Sequence, residues 1–413
     1  MKRSFTLVVC LCALIGIASY SSASASAQTA SSRNVVAYVY VANSAGGNTT
    51  EISAFAADNA GRLRPVPGSP FMENVGYMAV NGTYLMAASG SNINSYRIAN
   101  DGSLTYAVST DYQQVEPGCG GANQLAFDHT GQSLYVTEYE VDCSNNGLTD
   151  WAVENATGGL SYLGLTDTGN WNINTPSFIG NNQYGYTAYN DSCMYYSMNG
   201  FKRGANGMLT EFGPTMNKPT PPSGVSAYIP ALGAADPTNH VAFAEYPANP
   251  PGCTSDPVQF STYTANANGS LTTTSTWSNM PATDIQSVYD MKMAPSGKLL
   301  AVAGQEGLQV FHFNGAAPIT GYTGLLTTDP INEMFWDNDN HLYAITGVFN
   351  SGVNRLHVFT ITPRDYREAP GSPYTISGPQ HIIVQPWPRY QPYQPRPYAA
   401  AGKTARWPDE VAP

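Results

Sequence analysis

The chain has 413 residues, of which 11% are charged, against 39 Gly and 30 Pro. So thin a charge density, set beside the roughly 25% of ordinary globular chains, excludes a body of long solvated helices laced with ion pairs and points to loop-rich all-β structure. With 18 basic and 29 acidic residues the net charge is −11, which excludes the concentrated basic face that nucleic-acid phosphates require. The hydrophobic fraction of 42% is enough for a large core, and length alone suggests two or three domains.

In chain order, the first segment reads as an address. Lys2-Arg3, the apolar run from Phe5 to Ile17, and small residues ending Ala25-Ser26-Ala27 form the three regions of a secretory signal over residues 1–27. The apolar run is shorter than the ~20 residues that span a bilayer, and no later segment reaches that length. The product is therefore read as an exported, periplasmic or extracellular protein with no membrane span, and residues 28–33 as a lead-in.

From residue 34 onward one unit recurs about every 50 residues: an alternating strand, a loop, a second alternating strand, a Gly-containing turn and a short further strand. Its strongest strand returns as Val39–Asn43, Leu85–Ser89, Leu134–Glu138, Gly185–Tyr189, Val241–Glu245, Leu300–Gly304 and Leu342–Thr346. Turns such as Asp101-Gly102, Asn206-Gly207 and Asn268-Gly269 demand positive φ and mark the hairpins. The first unit lacks the strand that precedes the strongest one elsewhere, and Gln380–Pro386 has that pattern with no unit of its own. Pairing it into the first unit closes a ring and removes two exposed sheet edges. The chain is therefore read as a seven-bladed β-propeller of four-stranded blades over residues 34–387, followed by a Pro/Tyr-rich flexible tail over 388–413.

Val39-Tyr40-Val41-Ala42-Asn43, Pro65-Val66-Pro67-Gly68-Ser69-Pro70-Phe71 and Pro370-Gly371-Ser372-Pro373-Tyr374 resemble the repeat of the exported YVTN-type propellers and of the lactonase-family seven-bladed propellers. The resemblance covers nearly the whole chain beyond the signal and implies ring-opening hydrolysis of sugar lactones at one mouth of the central channel. Ala122-Asn123-Gln124 stands where that family's Pro-His-Ser run would fall, and neither that run nor its Asp-Leu-Gly-x-Asp run is intact in this sequence; Asn123 and Gln124 are the candidate ligand-binding residues.

Aligning the innermost strands puts Asp290 in blade six, Glu333 in blade seven and His381 in blade one at equivalent channel positions. These are the candidate catalytic residues: two carboxylates and an imidazole suit a general base with an orienting partner, or a divalent-cation site. Polar side chains that merely hold channel water are the competing explanation. A second constellation, Glu140 and Asp142 with Ser144 and Asn146, resembles the first half of a calcium loop but lacks the closing bidentate Glu, so a solvated acidic loop competes with a calcium site.

Cys119, Cys143, Cys193 and Cys253 form an even set that suits disulfides in an exported chain. All four fall in loops on one face of the disc, and the most economical pairing joins Cys119 to Cys143 and Cys193 to Cys253. No Gly-x-Ser-x-Gly elbow, phosphate loop or His-Glu-x-x-His occurs. The leading reading is a monomeric exported propeller that binds a small or carbohydrate-like molecule, or a protein partner, through its loop face and channel mouth; the alternative is a lactonase-like hydrolase.

Overall fold

The β-branched and aromatic residues that alternate through each repeat leave both sheet faces apolar, so every sheet needs a neighbour on either side. The computed structural model, which describes residues 35–45, 49–112, 122–138, 147–169, 173–214, 216–347 and 352–387, meets that need with seven antiparallel sheets and, among the described residues, no helix. The expected signal over residues 1–27, the expected lead-in over 28–33 and tail over 388–413, the Glu140–Asp142–Ser144–Asn146 group and the expected Cys119–Cys143 bridge lie outside the described residues.

Blade one takes the last strand, Pro379–Pro386, as its innermost member beside Val35–Ala45, Thr49–Asp58 and Leu63–Pro65. The pairing Tyr40↔Ile383 and Ala42↔His381 thus joins the two ends of the ring. The inner strands of the other blades are Met78–Val80, Ala122–Phe127, Ser177–Phe178, Ala227–Ala235, Val288–Met293 and Ile331–Trp336. A separate apolar cluster fills each of the seven gaps between blades. The two or three domains suggested by length are therefore replaced by one ring, in which each blade buries its faces against its neighbours.

The abundant tyrosines are explained by how blades dock. Tyr40 of blade one donates its hydroxyl to the carbonyl of Gly102 in the hairpin turn of blade two at 2.9 Å. Tyr135 reaches Gly207 at 2.7 Å and Tyr186 reaches Gly269 at 2.9 Å in the same way. The glycine is required for two reasons at Gly102: φ is +82°, and a Cβ would stand 2.2 Å from the Tyr38 ring. Changing Tyr186→Phe strips the partner from a buried carbonyl and is expected to lower unfolding free energy by about 1 kcal/mol, measured by urea denaturation.

Candidate functional site

The inner strands converge on a channel cavity of about 430 Å³ to which every blade contributes lining residues. Four of these strands share one irregularity that sets the chemistry. Opposite the second strand, the partners run Val288↔Gly304 then Asp290↔Ala303, Ile331↔Thr346 then Glu333↔Ile345, Pro379↔Asn43 then His381↔Ala42, and Ala122↔Glu138 then Gln124↔Thr137. Each skips one residue, respectively Tyr289, Asn332, Gln380 and Asn123. Such a bulge turns the strand at its channel end and re-aims the following side chain, so Asp290, Glu333, His381 and Gln124 occupy one tier.

In that tier each side chain reaches sideways to the next blade. Met334 N–H donates to Asp290 Oδ2 at 3.0 Å, Ile382 N–H donates to Glu333 Oε2 at 2.8 Å, and Thr175 N–H donates to Gln124 Oε1 at 3.0 Å. His381 Nε2 donates to the Met78 carbonyl of blade two at 2.9 Å, and its Nδ1 lies 2.7 Å from Glu333 Oε2. The Gln124 amide also donates to Asn174 Oδ1 at 3.0 Å. A polar belt therefore runs from blade six through seven and one to two, with a separate stitch between three and four.

The sequence reading missed Lys292. Its Nζ is 3.0 Å from Asp290 Oδ1 and stands 5.8 Å from the centre of the Phe335 ring, with the side chain 35% exposed to the channel. The period-two alternation that puts residues 290 and 292 on one strand face is the signal that would have found it.

Burial pushes the Asp290 carboxyl above its usual range, against the pull of Lys292 and with the push of the Glu333 charge. Burial alone would lower Lys292, but the Asp290 and Glu333 charges outweigh it and hold the ammonium above its ordinary value. His381 behaves likewise: desolvation pulls it down and Glu333, by charge and hydrogen bond, more than reverses this.

Geometry gives a second reason for the His381 charge. Its partners are a carboxylate and a backbone carbonyl, and where both accept, both ring nitrogens carry protons. An imidazolium has no lone pair with which to take a proton. In that protonated state the carboxylates of Asp290 and Glu333 are the members of the trio that can act as a base.

The trio also lacks the geometry of a cation site. Asp290 accepts from Met291 and Met334 amides and faces Lys292, and among the described residues no group of three or more His, Cys, Asp or Glu side chains is arranged to hold a metal ion. On the same face, Cys193 and Cys253 form a disulfide between the loops of blades four and five.

No protein-family model and no curated protein sequence matches the chain. Solved structures do. A protein from Bacteroides uniformis provisionally named a 6-phosphogluconolactonase matches at 12% identity and TM-score 0.58, over 84% of this chain and 99% of that one. A Bacteroides fragilis protein with the same provisional name matches at 13% identity and TM-score 0.52, over 85% and 98%. A protein from Lactobacillus plantarum matches at 11% and 0.56, over 85% and 99%. The chain thus shares the seven-bladed β-propeller fold of these proteins.

Proposed function

We propose that the chain is an exported propeller that binds a small, uncharged, polyhydroxylated ligand in the channel mouth formed by blades six, seven, one and two. The observation that carries this reading is the internal charge balance of the mouth. Asp290 and Glu333 are matched by Lys292 and His381, and Asp128, deeper in the channel wall, is matched by Arg203 at 2.9 Å. A phosphorylated or otherwise anionic ligand meets no cationic excess here, whereas Asn332, Gln380, Tyr77 and Tyr289, all lining the cavity, offer neutral hydrogen-bonding groups and aromatic faces to hydroxyls and ring carbons. Export is supported by the Lys2-Arg3 signal pattern and by the disulfide.

Hydrolysis of a sugar lactone is the second reading, favoured by the names of the structural neighbours and by two carboxylates at the mouth. In it Glu333 or Asp290 activates water and Lys292 faces the developing oxyanion.

Calorimetric titration with D-glucitol, glucono-δ-lactone and its phosphorylated counterpart tests both. Saturable binding of the neutral compounds, weakened at least about tenfold in Lys292→Met and in the rim variant Asn332→Ala, is expected. Tighter binding of the phosphorylated compound, or none of the neutral ones, overturns the reading. Lactone turnover abolished by Glu333→Gln replaces it with the second.

A further inference from the structure

His381 sits on the strand that closes the ring, and it is the one belt member with partners on both sides of the seam: Glu333 of blade seven through Nδ1 and Met78 of blade two through Nε2. We propose that His381 is a proton-dependent clasp on the closing strand, and that loss of its proton loosens the channel mouth and weakens ligand binding there. That the clasp regulates a ligand rests on the binding proposed above; that it holds the seam does not.

A neutral imidazole has one N–H for two acceptors, so deprotonation must sacrifice either the carboxylate or the carbonyl, and the one sacrificed is left facing a lone pair. The groups facing the ring are few. Glu333 of blade seven contacts it directly, and Tyr77 of blade two meets it edge-on with ring centres 5.6 Å apart. Lys292 of blade six opposes its charge, and the anionic Asp290 lies against that lysine. No neighbouring strand of blade one contributes a charged side chain: opposite His381 stands Ala42. Glu333 accepts from Ile382 N–H as well as from the imidazole, so one carboxylate holds the Nδ1 end of the clasp and the backbone beside it.

The seated state binds the proton more tightly than the open state, so opening releases a proton and is favoured as pH rises. Opening of the closing strand is therefore expected to increase about tenfold per pH unit from about pH 6.5 until the raised value is reached, and to level off above it. Hydrogen exchange at the Ile382 amide, corrected for the base catalysis of exchange itself, reads this directly.

Nitrogen-resolved NMR of the wild-type imidazoles, with the His381 signals assigned by their loss in His381→Gln, should show both ring nitrogens protonated at about pH 7. His381→Gln should flatten the exchange profile, and Glu333→Gln, which keeps an acceptor for Ile382, should move it to lower pH. A neutral His381 at about pH 7 in the wild type, or an unchanged profile in His381→Gln, overturns the clasp; the wild-type NMR decides the matter even if a variant fails to fold.

Titration with D-glucitol, which is stable to alkali, separates the two claims. Affinity falling in step with the exchange profile supports the regulation. Affinity flat with pH while the seam opens overturns the regulation and leaves the clasp. Absence of any binding removes the ligand reading together with the regulation.

Discussion

Replacing Asp337 with Ala is expected to destabilise the propeller by about 3–5 kcal/mol, the range for removing one partner of a buried, hydrogen-bonded charge pair. Asp337 is wholly buried in the turn that follows the inner strand of blade seven. One carboxylate there serves four donors: Asp339 N–H and His341 N–H on Oδ1, each at 2.8 Å, and His341 Nδ1 and Tyr343 OH on Oδ2 at 2.7 and 2.9 Å. Removal leaves an imidazole and a phenol unpaired in the core, since His341 and Tyr343 are 1% and 0% exposed.

Blade five repeats the device with Asp236 and His240, at 3.0 Å, but His240 is 17% exposed, so water replaces part of what is lost. Asp236→Ala should therefore cost about half as much or less. Urea unfolding of the two variants checks both the size and the order.

The pH dependence follows from His341. Burial would lower its pKa, but the hydrogen bond and charge of Asp337 outweigh it and leave the pKa raised. A raised folded-state value means that the contribution is complete below about pH 6.5 and is lost as pH climbs through the folded value. Wild-type stability should decline from about pH 6.5 up to the raised folded value, and Asp337→Ala should remove this part of the decline.

Much of this architecture is legible in the sequence because it depends on period. All seven second strands lie where the alternation puts them, and Gln380–Pro386 pairs with the first blade as ring closure requires. The tier of Asp290, Glu333, His381 and Gln124 was also readable, because the same bulge recurs at equal distance from the second strand. What period does not convey is the direction of a side chain around the channel. Nothing in Gln380-His381-Ile382 says that its imidazole bridges the Glu333 carboxylate of blade seven and a backbone carbonyl of blade two. That constraint is made by a backbone atom, which carries no sequence identity. The cysteines show the same boundary from the other side: the period places their loops on one face, and that placement pairs Cys193 with Cys253.

Replacing both of these cysteines with Ser is expected to lower stability by as much as about 4 kcal/mol, from the chain entropy released when a 60-residue link is opened. The double variant avoids leaving one free thiol at the exposed Cys253, and denaturant unfolding beside the oxidised wild type measures its loss. A deficit under about 1 kcal/mol would mean that the packing of blades four and five holds these loops together unaided.

The position of the bridge argues against that outcome. The inner strand of blade four, Ser177–Phe178, is the shortest of the seven and contributes only two ladder pairs, whereas that of blade five runs from Ala227 to Ala235. A ring of stacked sheets is limited by its weakest ladder. Cys193, fully buried against Ile229 and Ala248 with its N–H on Asn190 Oδ1 at 2.8 Å, fastens the second-strand loop of that short-laddered blade to its longer neighbour. The covalent link thus reinforces the ring where hydrogen bonding near the channel is thinnest, and on the face where the mouth opens.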